Sequence, residues 1–263
     1  MAPLTKPKAG LISRFPTAKA ARSYALGGFC FFSARMTRPA ITQPQLVPVT
    51  SVDDHLPAVP AAALTAEAIQ GRLAALSAWT PEFAGDGGLF VDREPSGAAV
   101  LVPLVQRPDG LSLLLTRRTD HLRDHAGQIS FPGGRVEPED DGPVATALRE
   151  TEEEIGLPRE YIHVIGQLPI YSTVTAFQVT PVVALVEPGF TLTLDDFEVA
   201  EAFEVPLAFL MNPAHHRHHH FEFGGTERRF LSMPWQGLER EYFIWGATAA
   251  MLRNLYRLLS DAR

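Results

Sequence analysis

Apolar residues recur along this chain with two different spacings, one typical of helices and one typical of strands. In Thr65–Ala78 they repeat every three or four positions, which predicts a helix with Thr65 as its N-cap. Ala98–Val105 and Leu111–Arg117 are short and rich in branched apolar residues, as strands are. The turn-forming sequence Arg107-Pro108-Asp109-Gly110 lies between them and predicts a hairpin.

The second half of the chain continues this mixture of patterns. Strands are predicted at Tyr161–Ile170, Gln178–Val186 and Tyr242–Trp245, and a closing helix at Gly246–Leu259. Helices and strands therefore interleave along the chain. This order predicts an α+β or α/β fold, a sandwich in which a mixed β-sheet lies between helices.

One predicted helix, Ala145–Ile155, is unusually acidic. It contains no glycine or proline, and its apolar positions follow helical spacing on one face. Gly142-Pro143 suits its start, and Gly156-Leu157-Pro158 suits its end. Because like charges repel on a helix, so many carboxylates in one stretch favour a site for a bound cation.

Three carboxylates of this helix are expected to share one edge. Glu150 lies one turn before Glu153 and Glu154, so the three side chains can converge on a metal ion. Oxygen-only ligands favour Mg²⁺ or Mn²⁺ over Zn²⁺. Since Mg²⁺ is usually shared with substrate phosphates, the helix also predicts a phosphate-containing substrate.

The segment that contains these carboxylates resembles the Nudix hydrolase box, G-x5-E-x7-R-E-U-x-E-E-x-G-U, where U is aliphatic. Gly134 matches the first glycine of the box. Its second half is matched by Arg149-Glu150-Thr151-x-Glu153-Glu154-x-Gly156-Leu157, with Thr151 at an aliphatic position. Six residues separate Gly134 from Asp141, and the upstream acid is Asp141, Glu139 or Asp140. The resemblance, which begins near Ala98, implies an α/β/α sandwich.

The resemblance also implies roles for individual residues. Arg149 would pair with a carboxylate and orient it. One glutamate must deprotonate the attacking water: Glu153 is favoured, with Glu198 or Glu201 as the alternative. A downstream glutamate often supplies a further metal ligand or the base in this family. Glu198 is assigned as that ligand, with Glu201 as the other candidate. A simple turn that favours acidic residues is an alternative explanation for both.

A basic segment leads directly into the acidic helix. Its cationic side chains are expected to bind the phosphates that the metal does not reach, and they are Arg117, Arg118, Arg123 and His125. Gly133 and Gly134 permit close backbone approach to a ligand. Gln128 and Phe131 are expected to hold either an adenine ring or the loop itself.

This segment looks like the signature of the coenzyme A (CoA) diphosphatase branch of the Nudix family. The matching pattern is L-L-T-x-R…L-R-x-H-x-G-Q-x-x-F-P-G-G, directly before the box. It implies cleavage of CoA to 4′-phosphopantetheine and adenosine 3′,5′-bisphosphate. Two alternatives stay open: a different nucleoside diphosphate derivative such as ADP-ribose or NADH, and a non-catalytic module that senses a nucleotide.

Composition narrows the cellular setting and the partners. A net charge of −7 argues against bulk nucleic-acid binding, and no apolar run is long enough to span a membrane. The single cysteine, Cys30, suits a reducing compartment and favours a cytoplasmic location. The partner is therefore expected to be a small-molecule substrate, and exposed strand edges make a homodimer possible.

The first 64 residues differ from the remainder. No acidic residue precedes Asp53, and the first stretch is basic, as transit peptides are. An apolar stretch at Tyr24–Ala34 also resembles part of a signal peptide, and Met36 is an alternative start. The interpretation favoured here is a disordered tail that continues through Pro39–Pro60 as an extended linker, followed by a single domain at 65–263.

Five histidines lie between His215 and His220. They suggest a Zn²⁺ or Ni²⁺ site, but alternate residues of a strand face opposite ways, so all five cannot converge. The neighbouring aromatic residues predict that the run begins a β-hairpin. The polar segment Tyr171–Phe177 is expected to border the substrate cavity or to form a turn.

Overall fold

A computed structural model describes residue 41 and residues 43–76, 79–86, 94–122, 125–223 and 226–261. The sequence interpretations for Met1–Arg35, and the phosphate-binding role predicted for Arg123, lie outside the described residues. The described residues form one compact unit. None of the described helices is long and apolar enough to cross a membrane.

The elements that carry the functional region occupy the first two thirds of this unit. The strands are β1 (Val49–Val52), β2 (Ser96–Arg107), β3 (Gly110–Arg118), β4 (Ile129–Ser130), β5 (Gly133–Arg135), β6 (Ile162–Gln167), β7 (Tyr171–Ser172), β8 (Phe177–Val186) and β9 (Val199–Pro206). The helices of this region are α1 (Ala66–Ala74) and α2 (Gly142–Ile155). The predicted helix after Thr65 is confirmed, although it ends at Ala74 rather than at Ala78. The Thr65 hydroxyl accepts a hydrogen bond from the Ala68 amide at 3.2 Å.

The last third adds a hairpin and the closing helix. Its elements are α3 (Leu207–Leu210), β10 (Arg217–Phe223), β11 (Thr226–Gln236), β12 (Glu241–Trp245) and α4 (Gly246–Ser260). The predicted hairpin after the histidines is confirmed by the antiparallel pairing of β10 with β11.

Within the described residues, the strands form two sheets. The larger has the order β4-β3-β2-β8-β6, with β5 beside β2, β7 beside β8 and β9 beside β3. The pairing of β2 with β8 is parallel and the others are antiparallel, so the sheet is mixed, as predicted. The smaller sheet, β1-β10-β11-β12, was not anticipated.

Pro103 occupies the middle of the central strand β2. It is tolerated there because β5 pairs with β2 only up to Val100, while β3 pairs with it only from Leu104 onward. The missing N–H of Pro103 therefore lies in the gap between two neighbouring strands.

The large sheet lies between two helical layers. Alternate residues of β2 divide between two cores, with Ala99 and Leu101 in the core beneath α2. Ala98 and Val102 lie in the other core, which α1 and α4 cover. This arrangement confirms the predicted α/β/α sandwich, because each face of the sheet buries its apolar residues against a helix.

The predicted linker before residue 65 is wrong for the part that the structure describes. β1 pairs with β10, and Val59 is buried. The Asp53 carboxylate binds Arg253 Nη1 at 2.9 Å, and Arg253 is itself almost fully buried. Proline-rich composition suggested an extended linker, yet these tertiary contacts make the segment part of the folded unit.

Candidate active site

The acidic helix α2 is anchored by its apolar face. Ala147 and Ile155 are fully buried, and so is Thr151, which stands at an aliphatic position of the box. The Thr151 hydroxyl donates to the Ala147 carbonyl, so its burial leaves no unsatisfied polar group. Gly156 ends the helix in a left-handed conformation with φ 62°. These contacts fix which way the carboxylates of α2 point.

Glu150 and Glu154 point toward the glycine pair of β5. The side chain of Glu154 is only 7% exposed, and its Oε2 accepts a hydrogen bond from the Gly133 amide at 3.1 Å. A Cβ on Gly134 would lie 2.4 Å from the Glu150 carboxyl carbon, so only glycine permits this contact. Glycine is therefore required at Gly134 by the Glu150 carboxylate, whereas at Gly133 it is required by its φ of 150° and by the Ala99 carbonyl oxygen, which would lie 2.4 Å from a Cβ.

Burial perturbs both carboxyl groups. It raises the pKa of Glu154 to about 8, because the Gly133 amide and the more distant Arg118 only partly stabilise the charged form. Burial also raises the pKa of Glu150, while Arg149 opposes the shift. The negative charge of Glu198 contributes to both shifts. The structure thus gathers carboxylates whose charge favours a cation.

Arg149 identifies the upstream acid, which the sequence left open. Its Nε and Nη2 donate to the two Asp140 oxygens at 2.9 Å each. Asp140 also accepts hydrogen bonds from the Glu137 amide and the Thr146 hydroxyl. Together these donors hold the pKa of Asp140 well below its usual range, with the Arg149 hydrogen bonds as the largest cause. Glu139 and Asp141 are exposed.

The same guanidinium reaches the functional carboxylates. Arg149 Nη1 donates to Glu150 at 3.1 Å and to Glu153 at 3.0 Å, and Nη2 donates to the Arg135 carbonyl at 3.0 Å. Arg149 therefore connects Asp140 to both Glu150 and Glu153. The role predicted for it, orientation of a carboxylate, agrees with this geometry.

Arg118 lies between α2 and the turn before β9. Its guanidinium is 3.5 Å from Glu154 Oε1 and 3.5 Å from Glu198 Oε2. Glu201, the other downstream candidate, accepts a hydrogen bond from the Tyr242 hydroxyl and lies 3.7 Å from Arg117 Nε. Of the two downstream glutamates, Glu198 is therefore the one joined to the α2 carboxylates.

Arg117 and Arg118 do not form one cationic surface. The β3–β9 register shifts between these two residues, and Arg117 pairs with Asp120 and Glu201 rather than with the α2 carboxylates. That both residues bind substrate phosphates stays a prediction. Both guanidinium groups are occupied by carboxylates in the structure.

The other predicted substrate-binding residues differ in exposure: His125 and Gln128 form an exposed pair, whereas Phe131 is buried. His125 Nδ1 and Gln128 Oε1 lie 2.9 Å apart in an exposed position. Phe131 is only 3% exposed and packs in the core. This burial favours the alternative in which Phe131 holds the loop, and its contact with substrate stays a prediction.

The donor set fits a divalent metal in its chemistry. Glu150, Glu154, Glu153 and Glu198 offer only carboxylate oxygens, which Mg²⁺ and Mn²⁺ prefer. The predicted convergence of three carboxylates is not seen: in the described ranges no three His, Cys, Asp or Glu side chains are grouped to hold an ion. Glu153 is 58% exposed and bound to Arg149, whereas Glu150 and Glu154 point inward.

The described histidines of the run form hydrogen bonds and ion pairs with other residues of the fold. His216 binds the Leu210 carbonyl, His218 binds Asp53, His219 binds Ser232 and His220 lies near Glu227. Since these partners lie in different directions, the described histidines do not share a metal site.

One signal in the sequence could have identified Asp140. Five residues separate Gly134 from Asp140, which is the spacing of the box itself, whereas the extra residue falls between Asp140 and Arg149. Spacing counted backward from Arg149 favoured Asp141 instead. The additional residue is accommodated at the start of α2. There Asp141 occupies the N-cap position, and its side chain makes no capping hydrogen bond.

Comparisons with known proteins point to the same family as the box pattern. The NUDIX domain model matches residues 95–223. The uncharacterized Nudix hydrolase NudL of Yersinia enterocolitica is 45% identical over 158 residues, which cover 60% of this chain and 78% of that relative. NudL of Shigella flexneri is 43% identical over 171 residues, with coverage of 63% and 85%.

Similarity to solved structures is more distant. A MutT/nudix family protein from Enterococcus faecalis is 17% identical with a TM-score of 0.40, covering 70% of this chain and 66% of that one. An Ap4A hydrolase from C. elegans is 21% identical with a TM-score of 0.36, covering 44% and 85%. Values this low do not bear on the substrate.

Proposed function

This chain belongs to the Nudix hydrolase family, and from that premise we propose that it hydrolyses the diphosphate bond of CoA or its derivatives. Water adds across the bond to give 4′-phosphopantetheine, or its acyl form, and adenosine 3′,5′-bisphosphate. The observation that carries the proposal is the packing of Glu150 and Glu154 against Gly133 and Gly134, with Arg149 joined to Asp140 beside them.

The proposed cofactor is Mg²⁺ or Mn²⁺, held by Glu150, Glu153 and Glu154 with Glu198. When bound, such an ion neutralises phosphate charge and lowers the pKa of a water molecule. The burial of Glu154 and the negative charges of Glu150 and Glu198 near it support this assignment, because each of these raises the pKa of Glu154 and a bound cation would favour its charged form.

The chain's own residues orient the reacting groups. Arg149 is fixed by Asp140, and from there it holds Glu150 and Glu153. We assign Glu153 as the base that deprotonates the attacking water, because its carboxylate is open to solvent. Glu198 is the alternative base, and Arg118 positions it relative to Glu154.

The preference for CoA rests on the segment before the box. The sequence from Leu114 to Gly134 carries the pattern of the CoA diphosphatase branch, and His125 with Gln128 forms an exposed polar pair within it. We propose that this pair contacts the substrate directly. The single cysteine, Cys30, is consistent with a proposed cytoplasmic location.

Product analysis tests the proposal. Purified protein is incubated with Mg²⁺ or Mn²⁺ and, separately, with CoA, acetyl-CoA, ADP-ribose and NADH, and the products are separated by chromatography. We expect adenosine 3′,5′-bisphosphate from CoA, and no product when the metal is chelated. Cleavage of ADP-ribose or NADH without cleavage of CoA would contradict the proposed substrate. Tight nucleotide binding without any turnover would indicate a sensing module.

A further inference from the structure

Arg118 bridges two carboxylates that come from different parts of the fold. Its Nη1 lies 3.5 Å from Oε1 of Glu154, which belongs to helix α2. Its Nη2 lies 3.5 Å from Oε2 of Glu198, which directly precedes strand β9. Each carboxylate thus contacts a different terminal nitrogen of the same guanidinium. Because a guanidinium stays protonated in proteins, Arg118 is an internal cation between two of the proposed metal ligands.

The contacts of Arg118 are longer than those of the other guanidinium in the site. Charge-assisted N–H···O bonds are usually about 2.7–2.9 Å long, and Arg149 meets both oxygens of Asp140 at 2.9 Å. Both bonds of Arg118 are 3.5 Å long, and its side chain is 24% exposed. Arg149 is therefore held firmly, whereas the Arg118 guanidinium is held loosely and can be exchanged for another cation.

Arg118 faces the Glu154 oxygen that the neighbouring backbone does not bind. Oε2 of Glu154 accepts a hydrogen bond from the Gly133 amide at 3.1 Å, and Oε1 contacts Arg118. Since the Glu154 side chain is only 7% exposed, its two oxygens cannot turn freely toward other partners. A cation that binds Glu154 beside the Gly133 amide therefore needs the same oxygen as Arg118 does.

The backbones that carry the two carboxylates are held independently of the Arg118 side chain. The Glu198 carbonyl accepts from the Thr119 amide at 3.0 Å, and the Glu198 amide donates to the Asp195 carbonyl at 3.0 Å. The Asp195 amide in turn donates to the Glu154 carbonyl at 2.9 Å, which ties this turn to the end of α2. Replacing the Arg118 side chain should therefore remove its charge and leave both acids in position.

We infer that the Arg118 guanidinium competes with a divalent cation for Glu154 and Glu198, and that it thereby lowers the metal affinity of the site. The inference rests on the proposed function in taking these two residues as metal ligands. A competing group that occupies a site in about nine molecules of ten weakens the apparent affinity about tenfold. Arg118 thus sets the metal concentration at which the carboxylates bind their ion.

Metal binding without substrate tests the inference. The affinity of the full-length protein for Mn²⁺ is measured from the electron paramagnetic resonance signal of the free ion. We expect the Kd to be about tenfold lower in Arg118→Gln than in the wild type, because the competing charge is gone. Arg118→Lys keeps the charge but lacks the planar fork that contacts both acids, so its Kd should lie between the two.

Arg117→Gln is the matched control for this measurement. Arg117 is the preceding residue of β3, and it pairs with Asp120 and Glu201 instead of the α2 carboxylates. Its loss should leave the Kd for Mn²⁺ unchanged. An equal or higher Kd in Arg118→Gln than in the wild type, or equal decreases in Arg118→Gln and Arg117→Gln, would overturn the inference.

Thermal unfolding gives a second measurement that does not depend on turnover. In EDTA, Arg118→Gln is expected to have a lower Tm than the wild type, because Glu154 and Glu198 lose their counter-charge. Saturating Mn²⁺ should then raise the Tm of Arg118→Gln by more than it raises that of the wild type. A smaller rise in the variant would contradict the competition.

The two proposals can fail separately. If CoA is not cleaved while Arg118→Gln binds Mn²⁺ more tightly, the proposed substrate fails and the role of Arg118 stands. If CoA is cleaved and the Mn²⁺ affinities of wild type and Arg118→Gln are equal, the proposed function stands and the competition fails. Weaker ADP binding in Arg118→Gln with an unchanged Mn²⁺ affinity would assign Arg118 to the substrate phosphates and also overturn the inference.

Discussion

Arg149 and Asp140 are joined by two hydrogen bonds of 2.9 Å, one to each carboxylate oxygen. The same guanidinium reaches Glu150 and Glu153, so Asp140 fixes the position of both acids through one intermediary. The role of the pair is therefore to position Glu150 and Glu153.

Asp140→Asn is expected to lower kcat about tenfold to a hundredfold, because an amide cannot accept both N–H groups and Arg149 would lose its fixed orientation. Asp141→Asn is the matched control, since Asp141 is exposed and its side chain does not cap α2. Steady-state kinetics on both variants, with circular dichroism to verify folding, gives the comparison. A larger loss of kcat in Asp141→Asn would show that Asp141, and not Asp140, is the upstream acid.

Gly134→Ala is expected to reduce kcat by at least about tenfold, because the added Cβ would displace the Glu150 carboxylate. Gly71→Ala serves as the control: nothing lies within 4 Å of a Cβ there, and alanine in helix α1 should stabilise the fold by about 0.5–1 kcal/mol. Activity and urea unfolding are measured for both. Full activity in Gly134→Ala would show that the close contact is dispensable.

Glu153→Gln is expected to reduce turnover at least about a hundredfold while leaving the unfolding free energy nearly unchanged, because Glu153 is an exposed base rather than a packing residue. Glu152→Gln, one position earlier and paired with Arg159, should retain activity. If Glu153→Gln stays active and Glu198→Gln does not, Glu198 is the base.

His216 makes stability depend on pH. Burial lowers its pKa to about 4, and the neutral ring accepts from Arg253 at Nδ1 while Nε2 donates to the Leu210 carbonyl. Between its ordinary pKa and about 4 the unfolded chain binds more protons, so stability is present above that window and is lost as pH falls through it. The loss from this group is about 3 kcal/mol.

The check is the change in unfolding free energy between pH 7 and pH 4.5 for wild type and His216→Gln. Glutamine can reproduce both hydrogen bonds and does not titrate, so its loss on acidification should be smaller. His163→Gln changes an exposed histidine and should behave as the wild type does. An unchanged loss in His216→Gln would contradict the assignment.

Asp53→Ala is expected to destabilise the fold by about 3 kcal/mol, because it removes a carboxylate partner from the buried Arg253. Asp54→Ala, at the adjacent exposed position, should have little effect. Chemical denaturation of the two variants distinguishes a packed segment at residues 43–64 from the linker that composition suggested.

The large sheet was only partly predictable. Strands β2, β3 and β8 are apolar enough to be recognised, whereas β9 is not, because Glu201 was assigned to an acidic turn. Arg117 and Arg118 were grouped because both are cationic, although Arg117 pairs with Glu201 and Arg118 lies beside Glu154 and Glu198.

The sequence by itself determined the acidic helix, its apolar face and the glycine pair before it. These features follow from local spacing, and together they form the box pattern that indicates the family. Only the tertiary structure decided that Glu198 and not Glu201 joins the α2 carboxylates, and that β1 pairs with β10. Those outcomes depend on which strand lies beside which, because contacts between residues far apart in the chain arise only when the sheet forms.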